Sequence, residues 1–125
     1  MIDHLKLFVA DVAASRAFYE AALEPLGYRV LMDFETVVGM GKDRPDFWLA
    51  PANGTPTTCH VSFRAESEDE VQRFHAAALA AGGTDNGAPG LRPQYHQNYY
   101  GAFALDPDGN NAEAVYHGAL QPDAA

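Results

Sequence analysis

The chain has 125 residues, 8 Lys and Arg against 17 Asp and Glu for a formal charge of −9, and 47% apolar side chains. That length suits a single compact domain with a real core. No run approaches the roughly 18–20 apolar residues of a membrane helix, and the negative charge opposes binding to nucleic-acid phosphates or anionic membrane surfaces. The one cysteine, Cys59, excludes an internal disulfide and a Cys-rich zinc knuckle, and fits a cytoplasmic, reducing compartment.

In chain order, residues 2–9 alternate, with Leu5, Leu7 and Val9 on one side and His4, Lys6 and Phe8 on the other, which predicts a strand. Asp3, His4 and Lys6 interrupt the apolar run, so it does not read as a signal peptide. Asp11 is placed to cap a helix whose apolar stripe is Val12, Ser15, Phe18, Tyr19 and Ala22, and Gly27 is its stop. Strands follow at 28–32, 35–40 and 46–50, then a turn-rich linker, PANGTPTT, over 51–58. Residues 60–65 alternate again, with Val61, Phe63 and Ala65 opposite His60, Ser62 and Arg64. Ser67 is the N-cap of a second helix carrying Val71, Phe74, Ala78 and Leu79, stopped by Gly82-Gly83, and His75 on it reads as solvated. A weak strand near Thr84, an irregular loop over 87–98, strands at 99–105 and 110–116, and a loose tail over 118–125 complete the reading.

The second half repeats the first. His4–Leu23 and His60–Leu79 align at a constant offset of 56 residues, placing His4 on His60, Phe18 on Phe74 and Leu23 on Leu79. Each copy is one strand, one helix and about three further strands, an α+β pattern in which the helix covers one sheet face and the other face lines a cavity. Module 1 spans about 2–51 and module 2 about 58–117 of a single domain, 1–125.

Three side chains in that register can meet at one metal. His4 and His60 open equivalent strands on the non-aliphatic faces, where a pseudo-twofold axis would bring them together. Glu113 sits mid-strand in NNAEAVY, where a carboxylate is costly to bury without a partner. Taken singly, a strand-start His is more often a hydrogen-bonded surface residue, and a mid-strand Glu more often faces solvent or pairs with Arg. Taken together, two imidazoles and a carboxylate suit Zn, Fe, Mn, Ni or Co and leave coordination positions open for water and substrate.

With DHLKLFVADVAASRAFYEAALEPLGY at the start, HVSF at the second copy and YGAFALDPDGNNAEAVYH at the end, the chain resembles the vicinal oxygen chelate superfamily over about residues 2–117. That superfamily includes glyoxalase I, extradiol dioxygenases, fosfomycin-resistance proteins and bleomycin-binding proteins. The DPDGN turn, three residues before Glu113, is the most specific mark. The resemblance implies two βαβββ modules related by a pseudo-twofold, forming a curved-sheet cup with helices on the outer face. It also implies a homodimer, and one divalent metal ion held by His4, His60 and Glu113. In the turn, Asp106 and Asp108 can bond local backbone, Pro107 fixes φ and Gly109 permits a positive φ.

One departure stands out. Aligning GKDRPDFWLA on residues 106–115 places Trp48 opposite Glu113, where glyoxalase I carries a second metal-binding Glu that moves the substrate proton. Trp48 can neither ligate nor accept a proton; it stacks on substrate or fills the cup. In the loop RPQYHQNYYGAF, Tyr100 is read with Phe103 and Leu105 as facing inward, so Tyr100 and His96 are the candidate acid–base residues. Tyr95 is a candidate substrate contact and Tyr99 loop packing, while Arg64 or Arg92 is placed to bind a substrate carboxylate or simply to pair with surface acids. Cys59 reads as a packed thiol. The expected function is a glyoxalase-like lyase or isomerase whose small substrate chelates the metal through vicinal oxygens. The alternative is a drug- or metabolite-sequestering protein of the bleomycin-resistance type. An extradiol-type dioxygenase ranks behind both. Neither a nucleic acid nor a membrane is an expected partner.

Overall fold

The computed structural model describes residues 1–118; the expected tail, apart from Gly118, lies outside the described residues. The first module runs β1 (Leu5–Val9), α1 (Val12–Leu23), a 3-10 turn (Glu24–Leu26), β2 (Arg29–Asp33), β3 (Val38–Gly41) and β4 (Pro45–Pro51). The second runs β5 (His60–Arg64), α2 (Glu68–Ala80), β6 (Thr84–Leu91), β7 (Tyr100–Leu105) and β8 (Asn111–Tyr116). Asp11 caps α1 by accepting from the Ala14 amide at 3.2 Å, and Ser67 caps α2 by accepting from the Glu70 amide at 3.1 Å. Glu68, Asp69 and Glu70 add negative charge where the α2 dipole is positive.

The modules build two four-stranded sheets with matching strand orders, β1-β4-β3-β2 and β5-β8-β7-β6. In each, the first strand lies parallel to the last and the remaining pairs are antiparallel. The registers correspond residue for residue: Leu5 pairs with Phe47 and Leu7 with Leu49, as Val61 pairs with Ala112 and Phe63 with Ala114. Register shifts leave extra residues on β2, β4 and β6, bulges that bend the strands and curve the sheets.

One face of each sheet is covered by its helix. Leu7, Val9, Val38, Met40, Phe47 and Leu49 bury against Phe18, Tyr19, Ala22 and Leu23 of α1. The second sheet presents Ala102, Ala104, Ala112 and Ala114 to Val71, Phe74 and Ala78 of α2. The two helices also pack on each other, so the cores join as one cluster, with Phe47 and Phe63 ring centroids 5.2 Å apart where the modules meet.

Two local expectations change. The irregular loop expected over 87–98 is shortened, because β6 extends to Leu91 through Gly87, Pro89 and Gly90. β6 is the outermost strand of its sheet, where a proline costs no ladder hydrogen bond and glycines permit bulges. His75 is buried rather than solvated, its Nε2 2.9 Å from Asp85 Oδ1. Among the described residues no helix is long and apolar enough to cross a membrane.

Candidate functional site

The face of each sheet turned away from its helix carries the polar side chains. In the second module, Glu113 stands on β8 opposite Ser62 of β5 and Phe103 of β7. It is only 1% exposed, the one acidic side chain among the largest fully buried ones of the described residues. Two groups hold its carboxylate. His60 Nε2 lies 2.7 Å from Oε1, and the Tyr99 hydroxyl donates a short hydrogen bond to Oε2. Burial, and then that bond to Glu113, raise the Tyr99 phenol above its ordinary range, so Tyr99 keeps its proton and stays a donor. Space for the carboxylate comes from Gly101, where a Cβ would sit 3.2 Å from Glu113 Oε2 and 3.1 Å from the Tyr99 ring.

The DPDGN turn sets β8 in place. Asp106 Oδ1 accepts from the Asp108 and Asn110 amides at 2.9 and 2.8 Å, and Gly109 turns the chain with φ +84°. Asp106 Oδ2 accepts from the Asn110 side chain at 2.9 Å and from the Tyr19 hydroxyl of α1 at 2.6 Å. Asp108 departs from the expected local bonding: its carboxylate accepts from the Ala10 amide at 3.1 Å. Asn110 Oδ1 accepts from the Cys59 amide at 2.7 Å, just ahead of His60. The turn that aims Glu113 therefore also ties module 2 to module 1 and fixes the start of β5. Burial raises the Cys59 thiol, as a packed thiol requires.

His60, with 52% of its side chain exposed, and Glu113 open onto a cavity of about 430 Å³ shared with Tyr95, His96, Tyr99 and Phe103. Tyr95 stacks edge-on against Tyr99 at 4.9 Å, and His96 packs against Tyr99 at 5.3 Å. His96 Nε2 and His117 Nδ1 share a hydrogen bond of 2.8 Å, while buried His96 Nδ1 has no partner among the described residues.

In the first module His4 lines a separate cavity of about 450 Å³ with Asp3, Lys6, Phe34, Arg44 and Trp48. His4 Nδ1 is 2.8 Å from Asp3 Oδ1, and Arg44 lies 3.4 Å from the other oxygen of the same carboxylate. The His4 bond first, and the Arg44 charge after it, hold the Asp3 carboxyl below its ordinary range. Trp48 pairs with Lys6 across β1–β4 just as Glu113 pairs with Ser62 across β5–β8. Trp48 thus occupies the position equivalent to Glu113.

The three expected metal ligands divide accordingly. His60 and Glu113 are adjacent, but His4 lines the other cavity. Among the described residues no group of three or more His, Cys, Asp or Glu side chains gathers at one point. The two sheets are not hydrogen-bonded to each other, and a cleft of about 250 Å³ lies between β1 and β5. The pseudo-twofold relation therefore does not bring His4 onto His60 within this chain.

Tyr100 faces the helix rather than the cup. It is buried, and its hydroxyl accepts from Gln72 of α2 at 2.9 Å. Strand parity explains the reversal: Tyr100 shares a face with Ala102 and Ala104, while Gly101 and Phe103 share the other. By that parity Tyr99, read from sequence as loop packing, lies on the cup side, and it is the residue that reaches Glu113. Alternation counted back from Phe103 was the signal that could have found it. Arg92 donates to the Gly90 and Ala88 carbonyls and lies 5.4 Å above the Phe103 ring, at the edge of the second cavity. Arg64 lines a different cleft, with Tyr28, Lys42 and Asp46.

Residues 1–114 match the family model described as Glyoxalase/Bleomycin resistance protein/Dioxygenase superfamily. Among solved structures, the chain is similar to a glyoxalase/bleomycin resistance protein from Albidiferax ferrireducens T118, with 31% identity and a TM-score of 0.77, covering 90% of this chain and 95% of that one. It shares its fold with a lactoylglutathione lyase from Agrobacterium tumefaciens at 21% identity and TM-score 0.67, covering 96% and 95% of the two chains. A glyoxalase/bleomycin resistance protein/dioxygenase family enzyme from Burkholderia phytofirmans PsJN gives 18% identity and TM-score 0.71, covering 93% and 98%. Comparison with curated protein sequences gave no match.

Proposed function

Because this chain belongs to the Glyoxalase/Bleomycin resistance protein/Dioxygenase superfamily, we propose that it is a divalent-metal enzyme of the glyoxalase-like branch, a lyase or isomerase acting on a small substrate with oxygens on adjacent carbons. The observation that carries this reading is the buried Glu113 carboxylate, fixed by His60 and Tyr99 at the wall of an aromatic cavity.

Within one chain two of the three expected donors stand together, and they fit a divalent metal. His60 Nε2 and Glu113 Oε1 are a nitrogen and an oxygen side by side, of the kinds that Zn, Fe, Mn, Ni and Co accept. The third donor, His4, is proposed to come from a second copy, with the open face of one copy's first sheet set against the open face of the other's second sheet. Phe8, Met32 and Phe34 of module 1 and Leu91 and Tyr95 of module 2 are exposed apolar side chains that such a contact would cover. A divalent ion in such a composite site would polarise a chelated substrate oxygen.

The chain's own residues have distinct parts in this reading. Tyr99 holds Glu113 Oε2, while Oε1 and His60 Nε2 hold each other at the cavity wall, the pair that a metal would part. The His96 ring lines the same cavity, backed by His117 through Nε2, and is the candidate proton carrier. Trp48 removes the second carboxylate, so proton movement falls to the module 2 side. Tyr100 and Arg64, expected at the site from sequence, have no part in it.

Metal analysis of the purified protein, joined to its sedimentation behaviour, tests the proposal. A dimer with one ion per composite site is expected, with the ion lost in His60→Ala and in His4→Ala. Protein that retains no divalent metal when supplied with any of the five, or that loses none in these variants, overturns it. A screen with methylglyoxal plus thiol, and with catechols, then separates isomerase from oxygenase chemistry. Trp48 and Phe34, whose rings lie parallel with centroids 6.5 Å apart, favour a second reading as a small-molecule sequestering protein; metal-free protein whose Trp48 fluorescence is quenched by ligand is its expected result.

A further inference from the structure

We propose that the open face of module 1 is the subsite for an aromatic 2-hydroxy or 2-oxo acid, with the ring on Trp48 and the carboxylate on Lys6. The inference deepens the reading above and rests on its treatment of this face as half of a small-molecule cup.

Lys6 and Trp48 are paired across β1–β4, so their backbones are neighbours about 4.8 Å apart and both side chains rise from the same face. Trp48 lies flat. It faces Gly39 in the β3–β4 register, and a Cβ on Gly39 would sit 2.8 Å from its ring, so only a glycine lets the indole rest on the sheet. Phe34 lies parallel to that indole at a centroid distance of 6.5 Å and is 63% exposed. Flat aromatic surface of this kind selects planar apolar groups.

The charges on this face are unequal. Arg44 is drawn to Asp3, which His4 also engages. Lys6 makes no ion pair among the described residues, and its ammonium stands 6.0 Å from the Phe8 ring. In a chain of net charge −9, with only 8 Lys and Arg, an exposed ammonium outside any ion pair among the described residues, beside a half-buried indole, suits an anion. The cavity, at about 450 Å³, lies in the range of small-ligand sites. A ring, a carboxylate and a neighbouring oxygen on one compact ligand satisfy Trp48, Lys6 and the vicinal-oxygen reading together.

Trp48 is the single tryptophan of the chain, so its fluorescence reports on this cavity alone. The test titrates mandelate, lactate (no ring) and methyl mandelate (no charge) into the full-length protein. It is followed by Trp48 quenching and by calorimetry, once with chelator and once with zinc. Mandelate is expected to quench Trp48 and to bind about tenfold tighter than either control. Lys6→Met should weaken mandelate about tenfold without affecting methyl mandelate, and Lys6→Arg should restore most of the loss. Equal binding of mandelate and lactate, undisturbed Trp48 fluorescence at saturation, or full affinity in Lys6→Met would overturn the inference. Dependence on Lys6 that persists with chelator in a protein retaining no metal would uphold the subsite while sinking the metal reading. Stoichiometric metal without any dependence on Lys6 would do the reverse.

Discussion

Lys6 with Trp48 in the first sheet, and Ser62 with Glu113 in the second, are the same two positions in the same register. Their chemistry is opposite. Module 1 offers an ammonium and an indole, whereas module 2 offers a carboxylate held by an imidazole and a phenol. The support beneath each side chain has diverged with it. Gly39 makes a floor for a flat ring, and Gly101 makes room for a carboxylate with a tyrosine beside it. A duplicated scaffold thus keeps backbone pairing while its two open faces specialise, because alternation along a strand lets the cup face change without touching the core face. The core faces differ in their own way: leucines, methionine and phenylalanine back module 1, and four alanines admit α2 closely to module 2.

The sharpest way to break this comparison is to remove each central residue in turn. Glu113→Ala is expected to lower metal affinity by more than about a hundredfold, whereas Trp48→Ala leaves metal content unchanged, both read by elemental analysis after dialysis. Equal losses would show that the two faces do not differ in the way described. A smaller effect addresses how the faces are held together. Tyr19→Phe removes the hydroxyl that α1 donates to buried Asp106, leaving a carboxylate oxygen short of a donor, and should cost about 1.5–3 kcal/mol in denaturant unfolding. Burial, reinforced by the Asp106 charge, pushes the Tyr19 phenol far above its ordinary range, so this bond does not loosen through loss of the tyrosine proton in neutral or mildly alkaline solution. The smallest effects separate the supporting glycines. Gly39→Ala and Gly101→Ala should each cost on the order of 1 kcal/mol from crowding. The first should be read in Trp48 fluorescence with metal retention intact, the second in weakened metal retention with Trp48 fluorescence intact.

Much of the fold was legible because it is governed by local rules. Asp11 and Ser67 cap the helices they were expected to cap, and the repeat anticipated the equivalence of the two sheets. β6 was less legible, since its Gly and Pro content speaks against a strand until the chain is known to place it at a sheet edge. His75 misled for a related reason: a histidine on a helix reads as exposed unless Asp85, on β6, is known to meet it.

Of the candidate site, sequence determined the polar side chains of each open face, the equivalence of Trp48 to Glu113, and the turn that aims Glu113, since the repeat, periodicity and turn chemistry are written along the chain. Only the tertiary structure decided that Tyr99 and not Tyr100 reaches Glu113, and that His4 lies in a different cavity from His60. The first depends on where β7 begins and which face its parity gives to each tyrosine. The second depends on how two sheets pack through their helices, a relation between distant segments that no local pattern encodes.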